Sequence, residues 1–366
     1  MSLSIGILGL PNVGKSTIFN ALTRAQNAEA ANYPFCTIEP NRAIVPVPDA
    51  RIDKLAEMRK PQRTVHATVD FVDIAGLVKG ASRGEGLGNK FLANIREADA
   101  LLHVVRCFDD TNVVHVNGTV DPLRDIEIIE TELILADIQA WETRIQRVEK
   151  LARADKQAAA ALPLLQRLAD HLGAGNPAVS FPERDNDEIK VHLKEVPLLS
   201  DKKIIYCANV DESGMAQDND HVLSVKKYAD LKGADTVKIC AKMEEELAGM
   251  NEAEAAGFLK AYGVTESGLD RIARTGYHTL GLISYLTAGP KEVRAWTIHH
   301  GWKAPQAAGV IHSDFERGFI RAQVISFDDY VKYGDETACR EKGVMRTEGK
   351  EYIVQDGDII EFLFNV

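Results

Sequence analysis

Ser4-Ile5-Gly6-Ile7-Leu8-Gly9-Leu10-Pro11-Asn12-Val13-Gly14-Lys15-Ser16-Thr17 decides the fold. Residues 4–8 make a short apolar strand pattern, Gly9 to Ser16 fit G-x-x-x-x-G-K-[ST], and Ser16 to Arg24 have the spacing of a helix. A glycine-rich turn between strand and helix is the context in which backbone N–H groups and a helix N-terminus surround phosphates. Asn12, Val13, Gly14, Lys15, Ser16 and Thr17 are therefore expected around a nucleotide's phosphates. Lys15 brings a full charge to the β- and γ-phosphates, and the Ser16 hydroxyl is placed to ligate Mg²⁺.

Two further motifs follow in register. Thr37, in Tyr33-Pro34-Phe35-Cys36-Thr37, stands where a second magnesium ligand belongs. Asp73-Ile74-Ala75-Gly76 ends an apolar strand and supplies a magnesium-binding aspartate, Asp73, and a γ-phosphate-sensing glycine, Gly76. Gly80, Gly84, Gly86 and Gly88 loosen the chain that follows, as a segment ordered by the γ-phosphate requires. Three motifs in order mark a switch-type P-loop hydrolase.

The 366 residues are 45% hydrophobic and 27% charged, enough for two or three domains with buried cores. No run of eighteen apolar residues and no leader pattern precedes the first strand, so neither a membrane nor a secreted protein is expected. Five scattered cysteines without Cys-x-x-Cys point to a reducing compartment, and a cytoplasmic location follows. A net charge of −11 disfavours broad nucleic-acid binding, and no DNA partner is expected.

Val69 to Asp73, Ala100 to Val105, Lys203 to Cys207 and Thr236 to Ile239 read as strands alternating with helices, hence a mostly parallel α/β sheet. Apolar residues from Ile126 to Leu151 predict one long amphipathic helix, and Leu162 to Leu172 a second that stops at Gly173-Ala174-Gly175-Asn176-Pro177. Arg144, Arg147, Lys150, Arg153 and Lys156 form a basic stripe on this arm. After Pro290, Val293 to Ile298, Tyr352 to Val354 and Ile359 to Phe364 read as strands of a small α+β domain, with a turn at Asp356-Gly357-Asp358.

The chain closely resembles the YchF (Obg-like) ATPase family. The resemblance is carried by Leu10 to Thr17, Asn32 to Asn41, Asp73 to Ala81, Arg106-Cys107-Phe108, Lys291 to Thr297 and Asp314 to Ala322. It implies a Ras-like P-loop nucleotide domain (1–125 and 200–280), a helical, coiled-coil-like insertion (126–199) and a C-terminal β-grasp TGS domain (281–366). It also implies association with the ribosome and its large subunit, and ATP hydrolysis.

The choice of nucleotide turns on Asn209-Val210-Asp211-Glu212, where guanine-reading hydrolases carry Asn-Lys-x-Asp. A carboxylate opposite N1 pairs with guanine but faces a lone pair on adenine. The resemblance makes Asn209 and the Val210 main chain readers of the adenine edge, with Glu212 alongside. An Obg-class GTPase acting in ribosome assembly is the alternative. A metabolic kinase is disfavoured by the Asp-x-Ala-Gly switch. Leu77 stands where Ras-like hydrolases place the water-orienting glutamine, so hydrolysis is expected to be slow. By resemblance His115 takes that role, and Asn12 helps bind an activating K⁺. Cys36, beside Thr37, is a candidate for oxidation.

Overall fold

In the computed structural model the described residues are 3–29, 41–74, 87–110, 113–116 and 118–365. Strands β1 (Ser4–Leu8), β2 (Arg42–Pro46), β4 (Thr68–Asp73), β5 (Ala100–Arg106), β6 (Lys203–Asn209) and β7 (Asp235–Ile239) form a sheet in the order β2-β4-β1-β5-β6-β7. The pairs β1–β5, β5–β6 and β6–β7 are parallel. Every residue of β5 is buried, which is why the sequence runs apolar there without alternation.

A second sheet has the order β11-β10-β12-β8-β9-β3. Its strands are β3 (Arg63–Val65), β8 (Leu282–Ala288), β9 (Glu292–His299), β10 (Phe319–Ile325), β11 (Arg346–Glu348) and β12 (Ile359–Phe364). Compactness divides the chain into Met1–Ala21, Pro40–Ala43 and Phe71–Leu269 on one hand, and Leu22–Glu39, Ile44–Asp70 and Asp270–Val366 on the other. The pairing of β3 with β9 explains why an early segment groups with the C-terminal residues.

Tyr352 to Val354, expected as a strand, is a single bridge between Ile353 and Lys303. The segment is drawn instead around the buried Asp358 carboxylate, which accepts from Tyr352 Oη at 2.6 Å and Gln355 N at 2.9 Å. The turn at residues 356–358 is present, with Gly357 at φ +85°.

Helix α1 (Lys15–Glu29) follows β1, and α2 (Ala50–Arg59) and α3 (Leu87–Glu97) come before β5. The long helix α4 (Pro122–Ala152) starts at a good cap: Asp121 accepts from Arg124 N, and Pro122, with no N–H to leave unpaired, opens the first turn. Helix α5 (Lys156–Gly173) turns back along it. It begins six residues before the expected Leu162, capped by Asp155 and continuing through Pro163. Trp141, Ile145 and Val148 of α4 pack on Leu164, Leu165, Leu168 and Leu172 of α5, and Trp141 Nε1 donates to Leu165 O at 2.9 Å. Helix α6 (Asp187–Glu195) adds Ile189 to this core. Asp137 anchors the return to β6: it accepts from Leu199 N, Ser200 N and Ser200 Oγ at 2.6–2.8 Å. Burial outweighs these bonds and lifts its carboxyl to about 6.

Candidate nucleotide site

The loop after β1 is held in a shape that few residues tolerate. Gly9 lies at φ +152°, where an added Cβ would sit 2.5 Å from the Val104 carbonyl oxygen, and Gly14 at φ +102°, where it would sit 2.3 Å from Asn209 Nδ2. Asn12 takes a left-handed φ of +61°, and its Nδ2 donates to Val114 O at 3.2 Å. No acidic side chain occupies the first turn of α1, so its N-terminal dipole is left to an anionic ligand.

Lys15 is 8% exposed and donates to Leu10 O at 2.7 Å, curled back over the loop. Burial lowers its ammonium to about 8, against the pull of Asp73. Asp73, at the end of β4, has its carboxyl raised by burial, with Lys15 opposing. Asp73 and the exposed Ser16 at the start of α1 offer the hard oxygens Mg²⁺ takes, and the half-buried carboxylate is one whose charge a cation would stabilise, so the residues fit the ion. Thr37, Gly76 and Cys36 lie outside the described residues.

Beside the loop is a cavity of about 530 Å³. Asn12, Gly14 and Thr17 line one side, Asn209, Val210 and Glu212 another, and Phe108 and Lys242 contribute as well. Asn209 is 3% exposed and works as a strut: its Nδ2 donates to Val13 O at 2.8 Å and its Oδ1 accepts from Ala241 N at 3.0 Å. The second Nδ2 hydrogen and the second lone pair of Oδ1 are what remain for a base. Val210 N donates to Ile239 O at 2.8 Å, so the main-chain group it can offer is its carbonyl. Glu212 accepts from Lys242 Nζ at 2.7 Å, and Asp211 instead turns to Gly214 N and Ser213 Oγ.

His115 is 7% exposed, and its Nε2 is 2.7 Å from Asp125 Oδ2. The ring does not face solvent in this structure, because it is tied to the first turn of α4. The expectation for Arg144 is corrected. It leaves the basic stripe, bonding Glu195 at 2.6 Å and His192 Nδ1 at 3.1 Å to seat α6 on α4, whereas Arg147, Lys150, Arg153 and Lys156 are exposed.

Arg106 carries a role that the sequence reading missed. It is 2% exposed and donates to the carbonyls of Phe108, Asp110 and Val113 at 3.1, 3.1 and 2.9 Å, and its guanidinium lies 4.6 Å from the centre of the Phe108 ring. A single charge closing an otherwise apolar strand, Ala100 to Arg106, was the available signal. His103 of β5 is fully buried and its imidazole falls to about 3, through burial and then Lys15, so it stays neutral.

A phosphate-cradling loop, an aspartate at the end of the neighbouring strand and a base cavity behind Asn209 define a P-loop nucleotide hydrolase of the Ras-like type. Residues 4–161 match a family described as "50S ribosome-binding GTPase", and residues 282–365 match the YchF C-terminal family, described as a protein of unknown function. The "Ribosome-binding ATPase YchF" of Escherichia coli O157:H7 is 52% identical, and that of Bacillus subtilis (strain 168) 51%, each over the whole of both chains. The solved "Structure of the Schizosaccharomyces pombe YchF GTPase" superposes with a TM-score of 0.89 at 40% identity, covering 99% of this chain and 98% of that one. The chain belongs to the YchF family. Among the described residues, no helix is long and apolar enough to cross a membrane.

Proposed function

We propose that the chain is a Mg²⁺-dependent ATP hydrolase of the translation-factor class, cytoplasmic and associated with the ribosome through its large subunit. Residues 1–125 and 200–280 form the nucleotide-binding domain, 126–199 its helical insertion and 281–366 a TGS domain. The ribosome enters from the names of the relatives, ribosome-binding ATPases in two bacteria. The bacterial names specify ATP, whereas the fission-yeast structure is described as that of a GTPase.

One observation carries the choice of ATP. With its N–H bound to Ile239 O, Val210 meets a base through a carbonyl, an acceptor that suits the exocyclic amine of adenine and repels the guanine oxygen at the same position. Glu212, held by Lys242, is not a fixed partner for the guanine ring N–H. Phe108, braced by Arg106, supplies an apolar wall.

Asn12, Val13, Gly14, Lys15, Ser16 and Thr17 bind the phosphates, with Gly76 sensing the last of them. Ser16, Thr37 and Asp73 hold Mg²⁺, which when bound neutralises charge between the β- and γ-phosphates. Asn12 offers its Oδ1 to K⁺ while one hydrogen of its amide nitrogen is held by Val114 O. His115 orients the attacking water in place of the glutamine that Leu77 replaces, and intrinsic turnover is slow. Isothermal titration with ATP and GTP tests the assignment: ATP binds more tightly, and Val210→Lys with Glu212→Asp shifts the preference toward GTP. Equal or tighter GTP binding by the unaltered chain returns it to the Obg-class GTPase reading.

A further inference from the structure

The three residues Val114-His115-Val116 are arranged inside out. Val114 is 75% and Val116 50% exposed, while the His115 side chain between them is 4% exposed. Water thus meets two branched apolar side chains and is kept from the imidazole, the reverse of what burial favours. Something must hold the ring in, and a bond to a buried carboxylate contributes to that. Asp125 Oδ2 lies 2.7 Å from His115 Nε2 with its own side chain 3% exposed. Its other oxygen accepts from Arg124 Nε at 3.2 Å and NH2 at 3.0 Å. The same guanidinium reaches back to Thr119 O at 2.7 Å and Thr119 Oγ1 at 3.2 Å, closing the segment on the start of α4.

The segment is also coupled to the phosphate loop, through Asn12 Nδ2 and Val114 O. Consecutive Cα atoms are about 3.8 Å apart, so His115 is one residue from a direct contact with that loop. Releasing the ring requires this three-residue segment to turn over.

We propose that Asp125, braced by Arg124, is a positioning residue that latches His115 in a withdrawn conformation, and that hydrolysis requires the latch to open. The inference rests on the reading of His115 as the water-orienting group. It differs from an aspartate–histidine dyad, in which the carboxylate orients the ring during the reaction and its loss slows turnover. A latch has the opposite sign: its loss speeds turnover, because a larger fraction of the chain holds His115 in the competent conformation.

The test is steady-state ATP hydrolysis by the full chain, with wild type, Asp125→Asn, Asp125→Glu, Arg124→Gln, His115→Ala and the Asp125→Asn/His115→Ala double variant, each checked by thermal melting. Asp125→Asn raises kcat by about three- to tenfold with KM unchanged, the scale of weakening one charge-assisted bond. Arg124→Gln moves in the same direction by less, Asp125→Glu restores slow turnover, and the gain disappears in the His115→Ala background. Peptide-level modification of His115 by diethyl pyrocarbonate becomes faster in Asp125→Asn. Should His115→Ala turn over like wild type, the reading of His115 falls and the latch with it. Should His115→Ala be impaired while Asp125→Asn is slowed or unchanged, the latch alone is overturned.

Discussion

Replacing Asn209 with alanine separates a strut from a reader of the base. The side chain joins the phosphate loop at Val13 O to the turn after β7 at Ala241 N, at 2.8 and 3.0 Å, with 3% exposure. Alanine leaves both backbone partners buried without it, and each such loss costs about 1–2 kcal/mol. The expected total is about 2–4 kcal/mol, divided between folding and nucleotide binding, because the cavity exists only while the two loops are held together. If all of it fell on binding, affinity would drop by about thirty- to a thousandfold. Since a strut serves whichever base is bound, ATP and GTP lose affinity together, and their ratio moves by less than about threefold. Urea unfolding monitored by tryptophan fluorescence gives the stability share, and isothermal titration with both nucleotides gives the binding share. A loss confined to ATP, with stability and GTP affinity intact, would refute the strut and restore Asn209 as the reader of adenine.

Three further outcomes follow from the same geometry. Burial holds the Lys15 ammonium near 8, below its ordinary 10.5, so nucleotide affinity measured by titration from pH 7 to 9.5 falls above about pH 8, and Lys15→Arg flattens the profile. The sign for stability is opposite: between about pH 8 and 10.5 the unfolded chain holds more protons at this lysine than the folded one, so the Lys15 contribution to unfolding free energy rises with pH. Single-turnover hydrolysis is faster in KCl than in matched NaCl, and Asn12→Ala removes the difference; equal rates in both salts take the cation out of the scheme. Neutralising Arg147 and Lys150 weakens ribosome co-sedimentation and flattens its salt dependence, whereas Arg144→Ala lowers the melting temperature, because Arg144 is spent on Glu195 and His192.

What could be read from the sequence depended on how local its cause was. The phosphate loop is legible because backbone geometry demands glycine at two positive-φ positions, Gly9 and Gly14, and a lysine at fixed spacing. Strand β5 is legible as an unbroken apolar run, and α4 from its period. Strand β8 is not, because Ser284 and Thr287 interrupt its apolar residues, so that it shows neither an unbroken run nor the alternation of a half-exposed strand. Strand β3 is three residues long and owes its existence to a partner more than two hundred positions away. The expected strand at Tyr352 to Val354 failed for a related reason, since its hydrogen bonds go to the turn around Lys303 and to Asp358 rather than into a ladder. Within the described site, several of the residues that line the cavity were legible and the partners they take were not. Asn209 was found, but its partners at Val13 and Ala241 come from separate loops, and the Asp125 that holds His115 carries no mark in the sequence beyond its place after a helix cap.

The described parts of the site follow from one property of the sheet. Because β1, β5, β6 and β7 run parallel, the described parts of the loops that leave their carboxyl ends emerge together: residues 9–14, 107–110 with 113–116, 210–212 and 240–242. A crevice at that edge is where open α/β sheets bind ligands. Four loops meeting there would each be free to move unless something tied them, and three side chains tie the phosphate loop and its neighbour in particular. Asn209 joins the first loop to the last, Arg106 gathers the second around its own guanidinium, and Asn12 joins the first to the second through Val114. Only the last of these ties is exposed and single, at 3.2 Å, while the other two are buried and multiple. The base pocket is therefore braced by buried bonds at Asn209 and Arg106, while the phosphate loop meets Val114 through a single exposed one, the contact nearest the proposed opening of the Asp125 latch.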